Sequence, residues 1–430
     1  MPVRLDAGDA DFAARFTALL GAKREASAEV GTAVAAILAD VRARGDAAVI
    51  DYTARFDRLT LRLETMRFAE DEIASAVKAV PAKIRAALET AHDRIWAHHE
   101  KQKPSDHVYE DALGVTLGTL WTPIEAVGIY VPGGTASYPS SVLMNAVPAR
   151  IAGVERIAMV VPTPGGTVNP AVLAAARIAG VDEIYRIGGA QAIGALAYGT
   201  ATIAPVGKIV GPGNAYVAAA KGQVYGTVGI DMIAGPSEVL IIADSSANPA
   251  WVAADLLAQT EHGGGARGIL VTTDAALADA VEQEVERQIA LLPRAEITRE
   301  GWGQFGAVVT VTSLDEAAAL ANRIASEHVE LAIENPRALL PKIRNAGAIF
   351  LGHHTPEAIG DYVGGSNHVL PTAGSARFAS GLGVLDFMKR TSLLACDPAS
   401  LALLAGPAIT LAETEGLDAH GRSVAIRLNR

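Results

Sequence analysis

The chain of 430 residues contains one cysteine, Cys396. A single thiol excludes an intrachain disulfide and any zinc knuckle built on cysteine, and Cys396 reads as a reduced residue without a role. Basic residues are in deficit: 36 Lys and Arg stand against 47 Asp and Glu, for a net charge of -11. That balance argues against nucleic acid and anionic membrane surfaces as main partners, while an anionic cofactor bound locally stays possible. No apolar run approaches the roughly 18 residues of a membrane-spanning helix, so no segment is expected to span a membrane. The opening stretch Met1-Pro2-Val3-Arg4-Leu5-Asp6 lacks a basic segment followed by an apolar one, and the cytoplasm is the expected location. Low-complexity segments and short repeats are absent too.

What is present is a globular composition, with 50% apolar and 19% charged residues. Such a chain can bury an ample core, and its length suits roughly two to four domains. Up to about residue 110 it reads as helical. Val30, Val34, Ile37 and Val41 recur at helical spacing and Gly45 follows as a stop, while Ile84, Leu88, Ala91 and Ile95 form a second apolar stripe. From about 125 the pattern changes to short apolar runs that end in Gly or Pro and lead into helical segments. Strands are expected at 127–131, 157–161, 184–187 and 208–210, which implies a parallel sheet covered by helices. Ligands of such sheets bind at the C-terminal strand ends. A second set of strands is expected at 239–243, 269–271, 308–311, 331–333 and 348–351. Within it, Asn248-Pro249 reads as an N-cap and first helical residue of a helix running through Asp255 to His262. Ser313 and Glu316 have capping-box spacing and open a helix expected to end near Glu327. The fold class is α/β, with two Rossmann-like parallel-sheet domains and a helical N-terminal region. Beyond about 385 no sheet pattern is visible, and this part reads as a helical tail or small extra domain.

Several polar groups stand out against this background. Gly263, Gly265 and Gly268 form a nominal G-x-G-x-x-G, but they end a helix and lead into a strand, the reverse of a dinucleotide fingerprint. The turns Tyr130-Val131-Pro132-Gly133-Gly134, Gly188-Gly189-Ala190-Gln191 and Gly211-Pro212-Gly213-Asn214 are better placed. Glycine allows close approach of a ligand, and the helix that follows offers free N–H groups. Tyr130 can pack on a flat ring, and Gln191 and Asn214 can hydrogen-bond one. Gln259 and His262 lie three apart and share a helix face, which by itself favours an ordinary polar helix end over a metal site. Glu327-His328 suits acid–base chemistry or an ordinary surface pair equally. Gly360-Asp361-Tyr362 through His368 reads as a loop, dense in glycine and polar groups, of the kind that carries function. His92, His98, His99 and His107 read as solvated, and His353 and His354 as weak metal candidates.

Taken in order, these stretches resemble the histidinol dehydrogenase family. The matching segments are Gly128 to Gly134, Gly188 to Ala192, Gly211 to Ala215, Ala234 to Glu238, Ala258 to Gly263 and Glu327 to Leu331. Gly360 to Thr372, Asp386 to Arg390 and Glu415 to His420 complete the set. The resemblance covers nearly the whole chain. It implies zinc bound by Gln259, His262, Asp361 and His420, with one ion per subunit. The ion would position the substrate through its imidazole and amine. Ser237, Gln259, His262, His328, Asp361, Glu415 and His420 would contact L-histidinol, and Tyr130, Gln191 and Asn214 would contact NAD.

The resemblance further implies a two-step oxidation of L-histidinol to L-histidine through a bound aldehyde, the last steps of histidine biosynthesis. His328 would act as base in both oxidations, and Glu327 would activate water for the second. The tail would reach the partner subunit's site, making a homodimer with shared active sites. The implied organisation is an arm at 1–28, an α/β domain of 29–125 with 238–384 carrying zinc and the catalytic pair, an NAD-binding α/β domain at 126–237, and a tail at 385–430. Related enzymes of this fold oxidise sulfonated diols, but Ser237 and Glu415 fit the histidinol pattern. A zinc hydrolase using Glu327 and a non-enzymatic metal-dependent binding protein are the other readings. The glycine-rich turns favour the dehydrogenase, since a hydrolase needs no cofactor edge.

Overall fold

Two strands, Glu238–Ala243 and Arg267–Thr272, are buried at every residue. Continuous apolar runs of this kind belong to a parallel sheet covered on both faces. They form the middle of a six-stranded sheet. Its order is Val3–Asp6, Ala307–Thr310, Arg267–Thr272, Glu238–Ala243, His328–Ala332, Ala348–Leu351, and all its pairings are parallel. A second, five-stranded parallel sheet runs Glu183–Tyr185, Arg156–Val160, Ala126–Tyr130, Lys208–Val210, Gly229–Ile230. The computed structural model describes residues 2–21, 28–133, 138–263 and 265–429; Gly134 and Gly264 of the turns above lie outside them. The α/β class with two parallel sheets is as expected. Among the described residues no helix is long and apolar enough to cross a membrane.

The five-stranded sheet alternates its side chains between two cores. Ile157, Met159 and Val161 face one, packed with Leu88, Ala91, Ile95 and Val142. Ala158 and Val160 face the other, with Val34, Ile37, Val41 and Ile193. The helices between 28 and 99 therefore cover this sheet, through the two apolar stripes read from the sequence. Their packing differs from the grouping of 29–125 with the six-stranded sheet. His99 is also unlike the expectation of a solvated side chain: it is fully buried, with Nδ1 2.8 Å from the Ile95 carbonyl.

Four strands, before about residue 125 or beyond about 385, were not expected from the sequence. Val3–Asp6 is an edge strand of the six-stranded sheet. His107–Glu110, Thr116–Pro123 and Met388–Ala395 form a separate antiparallel sheet that joins the tail to the segment before the five-stranded sheet. The outer strands are exposed at nearly every position, so no in–out alternation marks them in the sequence. The tail continues as helices Pro398–Thr414 and Asp418–Ala425, which pack on each other.

The cap signals hold. Asn248 Oδ1 accepts from Ala250 N at 2.9 Å and opens Pro249–Thr260. Ser313 Oγ accepts from Glu316 N at 3.2 Å and opens Leu314–Ile324. The second helix stops earlier than expected, because Ala325 turns left-handed at φ 53° and ends it. Glu327 and His328 therefore stand at the start of a strand, not at the end of a helix.

Candidate active site

The turns at the C-terminal ends of the five-stranded sheet meet the N-terminal ends of the six-stranded sheet around a cavity of about 320 Å3. Pro132, Gly211 and Asp231 come from the first edge, and Ser237, Glu327 and His328 from the second. His262, Asp361 and His368 complete the wall used below. The rule that ligands sit at C-terminal strand ends thus describes one sheet only. On the other, the helix Pro249–Thr260 runs back against the strands and delivers Gln259 and His262 to their N-terminal ends.

Glu327 and His328 are fixed by the neighbouring strand. The Glu327 carboxylate accepts the Glu238 N–H at 2.9 Å, and His328 Nδ1 lies 3.1 Å from the Glu238 carbonyl oxygen. Gly347 lets the next strand close over them: a Cβ there would stand 2.5 Å from the Glu327 carbonyl oxygen. His328 is buried among carboxylates, with Glu357 Oε2 3.4 Å and Glu327 Oε2 3.8 Å from Nδ1, and Asp361 Oδ1 3.5 Å from Nε2. Burial alone would lower the imidazolium pKa, but Glu327, Glu357 and Asp361 outweigh it and raise it to about 10. Burial pushes Glu327 up to about 7 and Glu357 to about 8, against the pull of His328 on each. Burial would also raise Asp361, but His328, His368 and His262 bring it below the ordinary carboxylate range.

The proposed metal ligands are partly assembled. Gln259 is almost fully buried and its Oε1 has no hydrogen-bond partner among the described residues. His262 Nδ1 lies 3.2 Å from the Ala258 and Gln259 carbonyl oxygens, which leaves Nε2 for a ligand. Anchoring one ring nitrogen on a carbonyl is how metal-bound imidazoles are commonly oriented. Asp361 lies near enough to feel the charge of His262. An orphaned amide oxygen, a free imidazole nitrogen and a carboxylate suit zinc, and three carboxylates around one imidazole leave negative charge for a cation to balance. His420 is elsewhere. It and Glu415 are exposed on the tail, beside a depression that they share with Leu411 and Leu417. Among the described residues no group of three His, Cys, Asp or Glu is gathered closely enough to hold a metal within one chain. His353 and His354 lie away from the cavity, against Ser246 and Trp251 respectively.

The three residues expected at NAD are placed at the turns but not in the wall of this cavity. Tyr130 is buried in the core, and its hydroxyl accepts the Gly189 N–H at 3.2 Å. Burial raises the Tyr130 phenol to about 12, so it stays protonated. Gln191 is buried with its Oε1 unpartnered among the described residues. Asn214 is exposed, and its Oδ1 caps the next helix by accepting from Tyr216 N at 3.0 Å and Val217 N at 3.2 Å. Gly211 is held at φ 105°, where a Cβ would come within 2.2 Å of the Tyr130 carbonyl oxygen.

Several residues of the site were not singled out from the sequence. Asp231 accepts Gly211 N–H at 2.8 Å and pairs with the buried Lys221, which donates to the Gly211 carbonyl at 2.9 Å. This buried ion pair clamps the Gly211 turn from behind. His368 holds the Asp361 carbonyl oxygen through Nδ1 at 2.9 Å and lies 3.3 Å from Ser141 Oγ through Nε2. Glu357 opens the short helix Glu357–Tyr362, four residues before Asp361; the end of this helix, from Gly360, falls in the segment read as a loop. That spacing was the available signal for Glu357.

A family model described as histidinol dehydrogenase matches residues 21–428. The histidinol dehydrogenase of Rhizobium meliloti (strain 1021) is 64% identical over 429 residues, covering 100% of this chain and 99% of that protein. That of Rhodospirillum rubrum is 59% identical over 431 residues, covering 100% and 99% respectively. The crystal structure of histidinol dehydrogenase from Elizabethkingia anophelis matches with a TM-score of 0.95 at 37% identity, covering 100% of this chain and 98% of that one.

Proposed function

Because the chain belongs to the histidinol dehydrogenase family, we propose that its cavity oxidises L-histidinol to L-histidine in two successive steps, with the aldehyde kept bound between them. The observation that carries this reading is the adjacent pair Glu327 and His328, both buried and both turned to one cavity. With Nδ1 committed to the Glu238 carbonyl, His328 presents Nε2 as the group that accepts the substrate hydroxyl proton. Glu327, poised near neutral pH, takes a proton from the water that attacks the aldehyde, and His328 then accepts a proton from the resulting hydrate. NAD, when bound, accepts the hydride in each oxidation. Ser237 orients the substrate within the cavity.

Zinc held by Gln259, His262, Asp361 and His420 of a second subunit would offset the carboxylate charge and bind the substrate's imidazole and amine. Drawing Asp361 away from His328 lowers the imidazolium pKa toward the range where a neutral imidazole can act as base. Tyr130 serves the NAD region by holding the Gly188-Gly189 turn, while Gln191 and Asn214 supply an amide oxygen and an amide N–H beside helix N-termini. The tail supports a homodimer with shared sites. Leu394, Leu403 and Leu411 are each more than 60% exposed, an apolar surface that a second copy would cover. The cytoplasm suits a chain with a single unpaired thiol and a small-molecule substrate.

The test is to incubate purified, zinc-loaded protein with L-histidinol and NAD and to follow reduced nicotinamide and L-histidine. Two reduced nicotinamides per histidine are expected. No reduction with histidinol, or reduction only with a sulfonated diol, would overturn the assignment.

A further inference from the structure

We infer that Glu357 is a positioning residue for His328, holding the ring with its proton on Nδ1 and with Nε2 turned to the cavity. This rests on the assignment of His328 as the acid–base group.

The carboxylate of Glu357 is 3% exposed, and its Oε2 has no hydrogen-bond partner among the described residues. It lies 3.4 Å from His328 Nδ1. Glu327 is the rival for this task, but its nearest oxygen is 3.8 Å away and already accepts the Glu238 N–H. Distance and free valence both select Glu357. A buried carboxylate oxygen without a hydrogen bond is costly unless a charged or polar partner offsets it, and the Nδ1 edge of His328 is the polar group facing Oε2.

The placement of Glu357 is itself enforced. Its backbone N–H donates to Glu330 Oε1 at 2.7 Å. Glu330 lies two residues beyond His328 on the same strand, so both side chains leave the same face, while Val329 and Leu331 pack into the opposite core. The strand thus carries the acid–base ring and the group that anchors its support. The short helix opened by Glu357 also presents Asp361 one turn later, so one element touches the ring at both nitrogens.

The chemical consequence follows from the two ring positions. Nδ1 faces the Glu238 carbonyl at 3.1 Å and the Glu357 carboxylate, both acceptors, so the neutral ring keeps its proton there. Nε2 then holds the lone pair. When Nε2 takes the substrate proton the ring becomes cationic, and Glu357 stabilises that charge from behind. An orienting carboxylate beside a catalytic imidazole acts in the same sense in hydrolytic triads.

Zinc-loaded dimers of Glu357→Gln, Glu357→Asp and His328→Asn test this. The amide keeps the size of Glu357 and removes its charge. Glu357→Gln is expected to lower kcat about 10- to 100-fold with histidinol and equally with the aldehyde, with KM, zinc content and Tm nearly unchanged. Glu357→Asp, which keeps the charge but withdraws it by one methylene, should fall between. A wild-type kcat in Glu357→Gln, or a loss confined to KM or zinc content, would overturn the inference. If the amide variant does not fold, the Asp variant decides, and a wild-type kcat there overturns it. His328→Asn separates the two levels: full activity in that variant sinks the underlying assignment, whereas its inactivity beside an unaffected Glu357→Gln sinks only the positioning role.

Discussion

The Glu327 carboxylate accepts the backbone N–H of Glu238 at 2.9 Å. The bond crosses between neighbouring parallel strands and holds the carboxylate at the strand start, with burial raising its pKa to about 7. A base with that pKa works when ionised, so its contribution grows as the pH rises through about 7. Glu327→Gln is expected to slow oxidation of the aldehyde by about 100-fold or more and to leave oxidation of the alcohol much less affected. His328→Asn should impair both. Single-turnover measurements with each substrate decide, and equal losses for the two substrates in Glu327→Gln would contradict the division of labour.

The Gly211 turn offers a test of the cofactor edge. Alanine there must adopt φ 105° and place its Cβ 2.2 Å from the Tyr130 carbonyl oxygen. The backbone cannot absorb both without moving the Asp231 and Lys221 clamp. Gly211→Ala is expected to cost about 2–4 kcal/mol of stability and to raise KM for NAD more than KM for histidinol. Thermal melts and paired KM measurements check this, and an unchanged NAD KM in a folded variant would remove the turn from the cofactor region.

Part of this was readable in advance. Runs such as Val239 to Ala243 declare buried parallel strands, and Asn248 and Ser313 declare helix starts, because each signal is local. The pairing of Met388–Ala395 with Thr116–Pro123 depends on residues far apart in the chain whose side chains are largely exposed, so no periodicity betrays it. His99 looks polar and solvated until Asn367, 268 residues away, is seen 3.4 Å from its Nε2. Glu357 and Lys221 were hidden for another reason: each reaches its partner, His328 or the Gly211 turn, from a different element, and only the packing brings the two together. Family resemblance supplied the expected metal and catalytic positions, but it carried no information on which buried groups hold those side chains in place.

Near the site, the half-buried Asp255 and the buried Glu330 form a carboxyl pair. Burial raises Asp255 to about 6, and burial together with Asp255 lifts Glu330 well above the usual carboxylate range. Folded values above unfolded ones mean that the native state retains protons which the unfolded chain has lost. The stabilisation is complete below the unfolded pKa, near 4, and disappears as pH rises through about 6 for Asp255 and higher for Glu330. Asp255→Asn removes the Asp255 share of this dependence and lessens that of Glu330, which burial still raises. Its stability relative to wild type should improve between pH 4 and pH 7.5, by up to roughly 3 kcal/mol. Thermal melts at the two pH values test it, and a constant difference would show that Asp255 does not titrate with folding.

Metal removal should act on His328. With Asp361 3.5 Å from Nε2 and two further carboxylates near Nδ1, the zinc-free ring is expected to remain protonated up to about pH 10. Zinc should bring its titration down by at least one pH unit, since a bound cation opposes a neighbouring positive charge and competes for Asp361. Imidazole NMR of the histidines with and without zinc checks this, with His328→Asn providing the assignment. An identical titration in both forms would separate His328 from the metal.

The tail carries the last test. Glu415, in the turn between the two tail helices, and His420, on the second of them, are exposed, and among the described residues they share no cavity with His262 or Asp361 of their own chain. If His420 completes the partner's zinc site, a chain with His420→Asn still owns an intact Glu327 and His328, and a chain with His328→Asn still owns an intact tail. Each homodimer should be nearly inactive. In a heterodimer, one site receives a good His420 over a good His328, while the other receives neither. Mixed dimers at equal subunit ratio should therefore recover about a quarter of wild-type activity, since half the dimers are mixed and each has one complete site of two. Zinc content should follow His420 rather than His328. Verified heterodimers that stay inactive would mean that the tail serves its own chain.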